Sequence, residues 1–152
     1  MKKMRVGVVT GTRAEFGIWV PVIKAIQASP RLELKLVATG MHLLKDFGDT
    51  IREITREGFK VAARVPMYDG PPRTARQRGG RPAAALTLGI QGLAHAFRTL
   101  QVDLVFVLGD RLEMLAAACA ALAERIPIAH LHGGETAPGI WDEQIRHAIT
   151  KM

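Results

Sequence analysis

The segment His130-Leu131-His132-Gly133-Gly134-Glu135 and the run Asp142-Glu143-Gln144-Ile145-Arg146-His147 place acids, imidazoles and paired glycines close together. Carboxylates and imidazoles move protons near neutral pH, and glycines let a backbone turn sharply or approach a ligand. Two earlier turns add to the set. Gly11-Thr12-Arg13 offers helix N-terminal amides to an anion and a guanidinium that grips phosphate with two hydrogen bonds. Gly109-Asp110-Arg111 follows the most apolar stretch of the chain and offers a carboxylate whose basicity a crevice can tune. General acid–base chemistry needs such a supply, with one group to take a proton and another to deliver it.

Each candidate also has a plainer structural reading. Asp110 is placed to cap the helix that follows it, and Glu113 then supports the capping geometry. Asp142 opens the last helix, either as its cap or as a third acid beside Asp110 and Glu135. Glu143 points elsewhere on that helix, into solvent. His130 and His132, two apart on a strand, share a face as metal ligands do. With only His147 nearby and no cysteine beside them, they read as structural or substrate-bonding groups, and no metal site is expected. His42, in Gly40-Met41-His42, can reach the same rim, whereas His95 falls half-exposed in mid-helix. Neither a Gly-x-Gly-x-x-Gly pattern nor a Walker loop is present, so NAD and ATP are not expected as cofactors.

The elements that carry these residues alternate. Strands are predicted at Met4–Thr10, Leu32–Thr39, Lys60–Val65, Leu104–Leu108 and Ile128–Leu131. Helices are predicted at Phe16–Ala28, with Pro21 an internal irregularity, and at Asp49–Glu57, Ala83–Leu100 and Leu112–Glu124. A last helix runs from Asp142 onward. Strand–helix alternation implies an α/β fold, a Rossmann-like doubly wound parallel sheet with right-handed crossovers. In the order 3-2-1-4-5 the chain reverses direction between the first and fourth strands, where such sheets bind ligands. That order makes the turns at Gly11 and Gly109 face each other across one crevice, with Glu135 on the same rim.

Composition narrows the class. The 152 residues suffice for one domain with a full core, and 48% hydrophobic with 23% charged residues is ordinary for a globular protein. No apolar run approaches the roughly 20 residues of a membrane span, and the start lacks a signal-peptide pattern, so a cytoplasmic location is expected. The single cysteine, Cys119, excludes an internal disulfide and reads as a small buried hydrophobe. The net charge of +7 raises nucleic acid as a partner. Much of the excess sits in Asp69–Pro82, where Arg73, Arg76, Arg78 and Arg81 face one acid among prolines and glycines. Without aromatics to stack bases, the stretch reads as a mobile, substrate-facing loop, and no nucleic acid is expected.

Five segments in collinear order resemble the UDP-N-acetylglucosamine 2-epimerase family, closest to its hydrolysing branch. They are Thr10-Gly11-Thr12-Arg13-Ala14-Glu15-Phe16-Gly17, Thr39-Gly40-Met41-His42-Leu43, Leu108-Gly109-Asp110-Arg111-Leu112-Glu113, Ile126 through Glu135, and Asp142 through Lys151. The resemblance implies a glycosyltransferase-B-like architecture of two Rossmann-like domains with the site between them, residues 1–152 forming the first. It implies Asp110, Glu135 and Asp142 as catalytic carboxylates, Arg13 and Gly11 at the substrate's phosphates, and His42 and His132 near the sugar. It further implies conversion of UDP-N-acetylglucosamine to N-acetylmannosamine and UDP, a second domain beyond Met152, a homodimer, and no turnover by this segment alone. Ile145, Ala148, Ile149 and Met152 keep helical spacing to the last residue, in line with that expectation. Three alternatives remain open: the same chemistry on a UDP-diacetamido-trideoxyhexose, a non-catalytic sugar-nucleotide-binding module, and a related glycosyltransferase.

Overall fold

The computed structural model describes residues 2–45, 48, 50–68 and 82–152. Five strands, β1 (Met4–Thr10), β2 (Leu32–Thr39), β3 (Val61–Val65), β4 (Leu104–Leu108) and β5 (Ile128–Leu131), form one sheet in the order β3-β2-β1-β4-β5. All four pairings are parallel, for example Val8 against Leu36, Gly7 against Val105 and Phe106 against Ala129. This is the expected doubly wound order, with the chain switching direction between β1 and β4. At the amino end of that junction Arg5 clasps Asp103 through its backbone amide and its guanidinium. These hydrogen bonds draw the Asp103 carboxyl down to about 2.

Strand alternation sorts the core onto two faces. Val9, Val37, Val65, Val105 and Val107 pack on one side against α3 (Pro82–Leu100), α4 (Leu112–Ala123) and α5 (Asp142–Lys151). Val6, Val8, Leu36, Ala38 and Leu108 pack on the other against α1 (Arg13–Ala28) and α2 (Ile51–Arg56). Phe97 fills the first cluster and Trp19 the second, both fully buried. In α4, Ala116, Ala117, Ala118, Ala120 and Ala121 are all buried. Their small side chains let α3 and β4 close on this helix, which is apolar nearly all round. Cys119, in the same helix, is only half-buried, not fully buried as its neighbours suggest.

The helix starts differ from the pattern in an informative way. α1 begins at Arg13, three residues before Phe16, because Thr12 and Glu15 form a capping box that starts the helix ahead of its apolar face. Pro21 is accommodated without breaking it. Pro82 is the first residue of α3, where a missing amide costs nothing, and not the last of a loop. The rest of the basic stretch, residues 69–81 with Arg73, Arg76, Arg78 and Arg81, lies outside the described residues. Among the described residues no helix is long and apolar enough to cross a membrane.

Truncating Phe97 to Ala leaves a void beneath α3 and α4, with an expected loss of about 3–5 kcal/mol in urea denaturation. The same truncation at the exposed Leu122 is expected to change stability by under about 0.5 kcal/mol.

Candidate functional site

The carboxyl ends of the strands meet over a buried cluster of charged side chains. Glu113, on the first turn of α4, is fully buried. It accepts a hydrogen bond from the Tyr68 hydroxyl at 3.1 Å and another from the Arg111 guanidinium at 3.3 Å. Arg111 also lies 3.6 Å from Glu15 Oε1. The space for Glu113 comes from two glycines. A Cβ on Gly11 would sit 3.0 Å from the Glu113 Cγ, and one on Gly40 only 2.6 Å from its Oε1. Gly40 also has φ +58, which L side chains adopt only under strain. The turns after β1 and β4 therefore do meet, with Arg111, Glu15 and Glu113 filling the crossing. Glu113 does not support a cap: α4 has Arg111 at its N-cap and no side-chain cap.

Glu15 occupies the head of α1. Its Oε2 accepts from the Gly11 amide at 2.8 Å and the Thr12 amide at 3.1 Å. Burial pushes its carboxyl up to about 7, and the neighbouring Glu113 adds to the rise. The Gly11 carbonyl accepts from the His42 amide. Both polar groups of Gly11 are thus used inside the protein, and the first helix donors not taken by the cap are the Arg13 and Ala14 amides. Arg13 itself is 75% exposed, and its Nε lies 2.9 Å from Glu53 Oε2. These groups open onto a cavity of about 350 Å³ that Thr12, Met41 and Thr50 also line. His42 is buried, with Nε2 3.0 Å from the Thr10 hydroxyl and Nδ1 2.8 Å from that of Thr50. Burial holds its imidazole down at about 4, so the ring is neutral. In this chain it ties β1 to the segment before α2.

The other half of the rim gathers the acids. Arg146, nearly buried on α5, is hydrogen-bonded and ion-paired to Asp110 and lies 4.0 Å from Glu135 Oε2. Glu135 Oε1 accepts from His132 Nδ1 at 2.8 Å. His132 stands at φ +55, a left-handed conformation uncommon for a non-glycine residue. His132, Glu135, Arg146 and Asp110 thus form one connected chain from β5 to β4 through α5. Asp110 is no cap, since its carboxylate is turned to α5. Asp142 lies one helical turn before Arg146, half-buried and also not a cap, with Trp141 at the N-cap position. Its side chain makes no hydrogen bond or ion pair with the described residues. Glu143 is not simply solvated. It accepts from the Ala137 amide at 2.8 Å and holds the preceding loop to the helix, with His147 3.6 Å away.

The structure therefore brings Asp110, Glu135 and His132 together, sets Asp142 on the same helix as their common partner, and places Arg13, Gly11 and His42 on the β1–β2 side. Sequence reasoning passed over Arg146 and Arg111, the two cations that organise the acids. The signal for Arg146 was present: it follows Asp142 by four positions, one helical turn, on a helix whose other face is apolar.

Residues 24–152 match the sequence profile of the family described as UDP-N-acetylglucosamine 2-epimerase. The UDP-N,N'-diacetylbacillosamine 2-epimerase (hydrolyzing) of Legionella pneumophila is 40% identical over 144 residues, which cover 95% of this chain and 37% of that protein. The UDP-N-acetylglucosamine 2-epimerase of Neisseria meningitidis is 39% identical over 151 residues, covering 97% and 37%. A crystal structure of UDP-GlcNAc 2-epimerase from Neisseria meningitidis bound to UDP-GlcNAc shares the fold with a TM-score of 0.77 and 24% identity, over 97% of this chain and 38% of that one. The chain spans a little over a third of the length of the curated relatives it matches.

Glu15 and His42 give stability opposite pH dependences. An acid whose value rises on folding, from 4.5 to about 7, stabilises fully below 4.5, and that contribution is lost as pH rises to about 7. A base whose value falls on folding, from 6.5 to about 4, stabilises fully above 6.5, and that contribution is lost as pH falls to about 4. Urea denaturation across pH 4–8 checks this. Relative to Glu15→Gln, the parent is expected to lose up to about 3 kcal/mol between pH 4.5 and 7. Relative to His42→Asn, it is expected to lose stability in the reverse direction, between pH 6.5 and 4.

Proposed function

Because the chain belongs to the UDP-N-acetylglucosamine 2-epimerase family, we propose that it forms the first of two α/β domains of a hydrolysing UDP-sugar 2-epimerase, its strand-end rim making one wall of the substrate cleft. The observation that carries this reading is the linked set of acids: Arg146 joins Asp110 to Glu135, and Asp142 stands one turn away on the same helix. The connections after β4 and β5 supply three carboxylates to one rim, as a reaction that moves protons at neighbouring carbons requires.

In the reaction proposed, a carboxylate takes the proton from C2 of the sugar while the C1–O bond to UDP breaks. The electron pair of the C2–H bond becomes the C1–C2 alkene, and UDP leaves with the C1–O electrons. Water then adds its oxygen to C1 and gives up a proton to a carboxylate, a carboxylic acid protonates C2 on the opposite face, and the 2-epimeric free sugar departs. Asp110, Glu135 and Asp142 are the proton-handling and charge-stabilising groups, since positive charge develops at C1. His132 orients Glu135 through its Nδ1–H. Arg13 and the adjacent α1 amides face the departing diphosphate across the cavity beside them, while Gly11 and His42 shape that turn. No cofactor enters any step.

Two substrates fit this reading. The family is described for UDP-N-acetylglucosamine, giving N-acetylmannosamine, while the Legionella relative at 40% identity is named for a UDP-diacetamido sugar. The family likeness extends the proposal to a cytoplasmic homodimer in the complete protein.

Incubation of the 152-residue chain with UDP-N-acetylglucosamine in deuterated water is expected to give neither UDP release nor deuterium at C2. Robust release of both overturns the requirement for a second domain. Calorimetric titration with UDP is expected to show binding that Arg13→Ala weakens about tenfold, and unchanged affinity in that variant overturns the phosphate assignment. In the complete protein, Asp110→Asn, Glu135→Gln and Asp142→Asn are each expected to lower kcat by about 10²–10⁴. Wild-type UDP binding without turnover of either sugar by the complete protein favours the non-catalytic module.

A further inference from the structure

Thr150 lies in the last turn of α5 and bonds none of the rim's acids, yet its hydroxyl meets three different segments. It donates to the Arg146 carbonyl at 2.9 Å within the helix. It accepts from the Gly134 amide at 3.1 Å. His130 Nδ1 lies 3.1 Å from the same oxygen. The other nitrogen of that imidazole, Nε2, is 2.7 Å from the Gly109 carbonyl. A carbonyl only accepts, so Nε2 carries a proton, and the ring is held between the Gly109 carbonyl and the Thr150 hydroxyl. Gly109 is pinned on its other side as well, its amide donating to the Leu131 carbonyl at 2.9 Å.

The partners of this hydroxyl are the immediate neighbours of the acids. Gly109 precedes Asp110, and Gly134 precedes Glu135. Arg146, whose carbonyl receives the Thr150 proton, bonds Asp110 and lies against Glu135 with its side chain. Both glycines stand in the left-handed region, at φ +71 and φ +73, in turns past the ends of the strand ladders. Gly133 lies close against the imidazole: a Cβ there would come within 2.6 Å of His130 Nδ1. The backbone bond from Gly109 to Leu131 holds the first turn to β5, and the contacts of His130 and Thr150 join both turns to α5.

We propose that Thr150 is a positioning residue whose hydroxyl, with His130 as its relay, sets the placement of Asp110 and Glu135 relative to each other. The assignment of those two acids to catalysis rests on the function proposed above, whereas the structural link does not. Thr150 touches no reacting atom. It acts by fixing the Glu135 turn directly and the Asp110 turn through His130.

Two substitutions separate the hydroxyl from the bulk of the side chain. Thr150→Val keeps the shape and removes the hydrogen bonds, and Thr150→Ser keeps the hydroxyl and removes the methyl. In the 152-residue chain, ¹⁵N NMR of the His130 ring and of the Gly134 amide is the first readout. Thr150→Val is expected to shift both and to move the side-chain carboxyl ¹³C signals of Asp110 and Glu135, and Thr150→Ser to leave all of them close to the parent's. In the complete protein, Thr150→Val is expected to lower kcat about tenfold with KM within twofold, and Thr150→Ser to restore it. Parent-like signals in Thr150→Val, or equal impairment by Val and Ser, overturn the proposal. A complete parent protein that turns over neither sugar overturns the function and leaves the NMR comparison to decide the role of Thr150.

Discussion

A fully buried carboxylate, Glu113, stands where the connections after four strands converge. It lies beneath Gly11 after β1 and Gly40 after β2, accepts from Tyr68 after β3, and is paired with Arg111 after β4. A buried charge costs several kcal/mol unless it is paired and hydrogen-bonded, so any movement of these turns that uncouples it is opposed. Two acids share one guanidinium here, since Arg111 also faces Glu15. The excess negative charge adds to burial in raising the proton affinity of Glu15. Burial likewise pushes the Tyr68 phenol up, which keeps it a hydrogen donor to Glu113. This cluster holds the strand-end rim in shape.

The rim built on that cluster has two sides. Toward β2 it exposes the Arg13 guanidinium and the first amides of α1, a setting for an anionic group. Toward β5 it presents the acids tied together by Arg146, a setting for proton transfer. The proposed substrate carries a diphosphate at one end and a reacting sugar at the other. In the chemistry proposed, the diphosphate leaves toward Arg13 and the α1 amides, and the carbon that develops positive charge faces the carboxylates.

Much of the architecture was legible in the residues. The five apolar strands and the helices between them emerge from periodicity, and the order 3-2-1-4-5 follows from the alternation. Four of the five strands carry the expected bounds, and the third, β3, begins one residue later, at Val61. α1 starts at Arg13 instead of the predicted Phe16 because Thr12 and Glu15 set its start through side-chain caps, ahead of the first apolar contact. The acids Asp110, Glu135 and Asp142 stood out by type and by the glycines around them. What periodicity cannot convey is which charges meet. Glu113 reads as a cap when only α4 is considered, and becomes the buried bond between turns once β1 and β2 lie beside β4. Arg146 and Thr150 look like ordinary polar positions on a helix, and their roles exist only after α5 folds against the Gly109 and Gly134 turns.

Amide hydrogen exchange in Glu113→Ala and Glu113→Gln shows whether the Glu113 cluster holds the rim in shape. Glu113→Ala removes the buried acceptor, and faster exchange is expected together at residues 10–13, 40–43 and 109–111, with the interior of α3 still protected. Glu113→Gln keeps an acceptor for Tyr68 and Arg111, and a smaller effect at the same amides is expected. Protection at those turns that stays at the parent's level in Glu113→Ala would contradict the account.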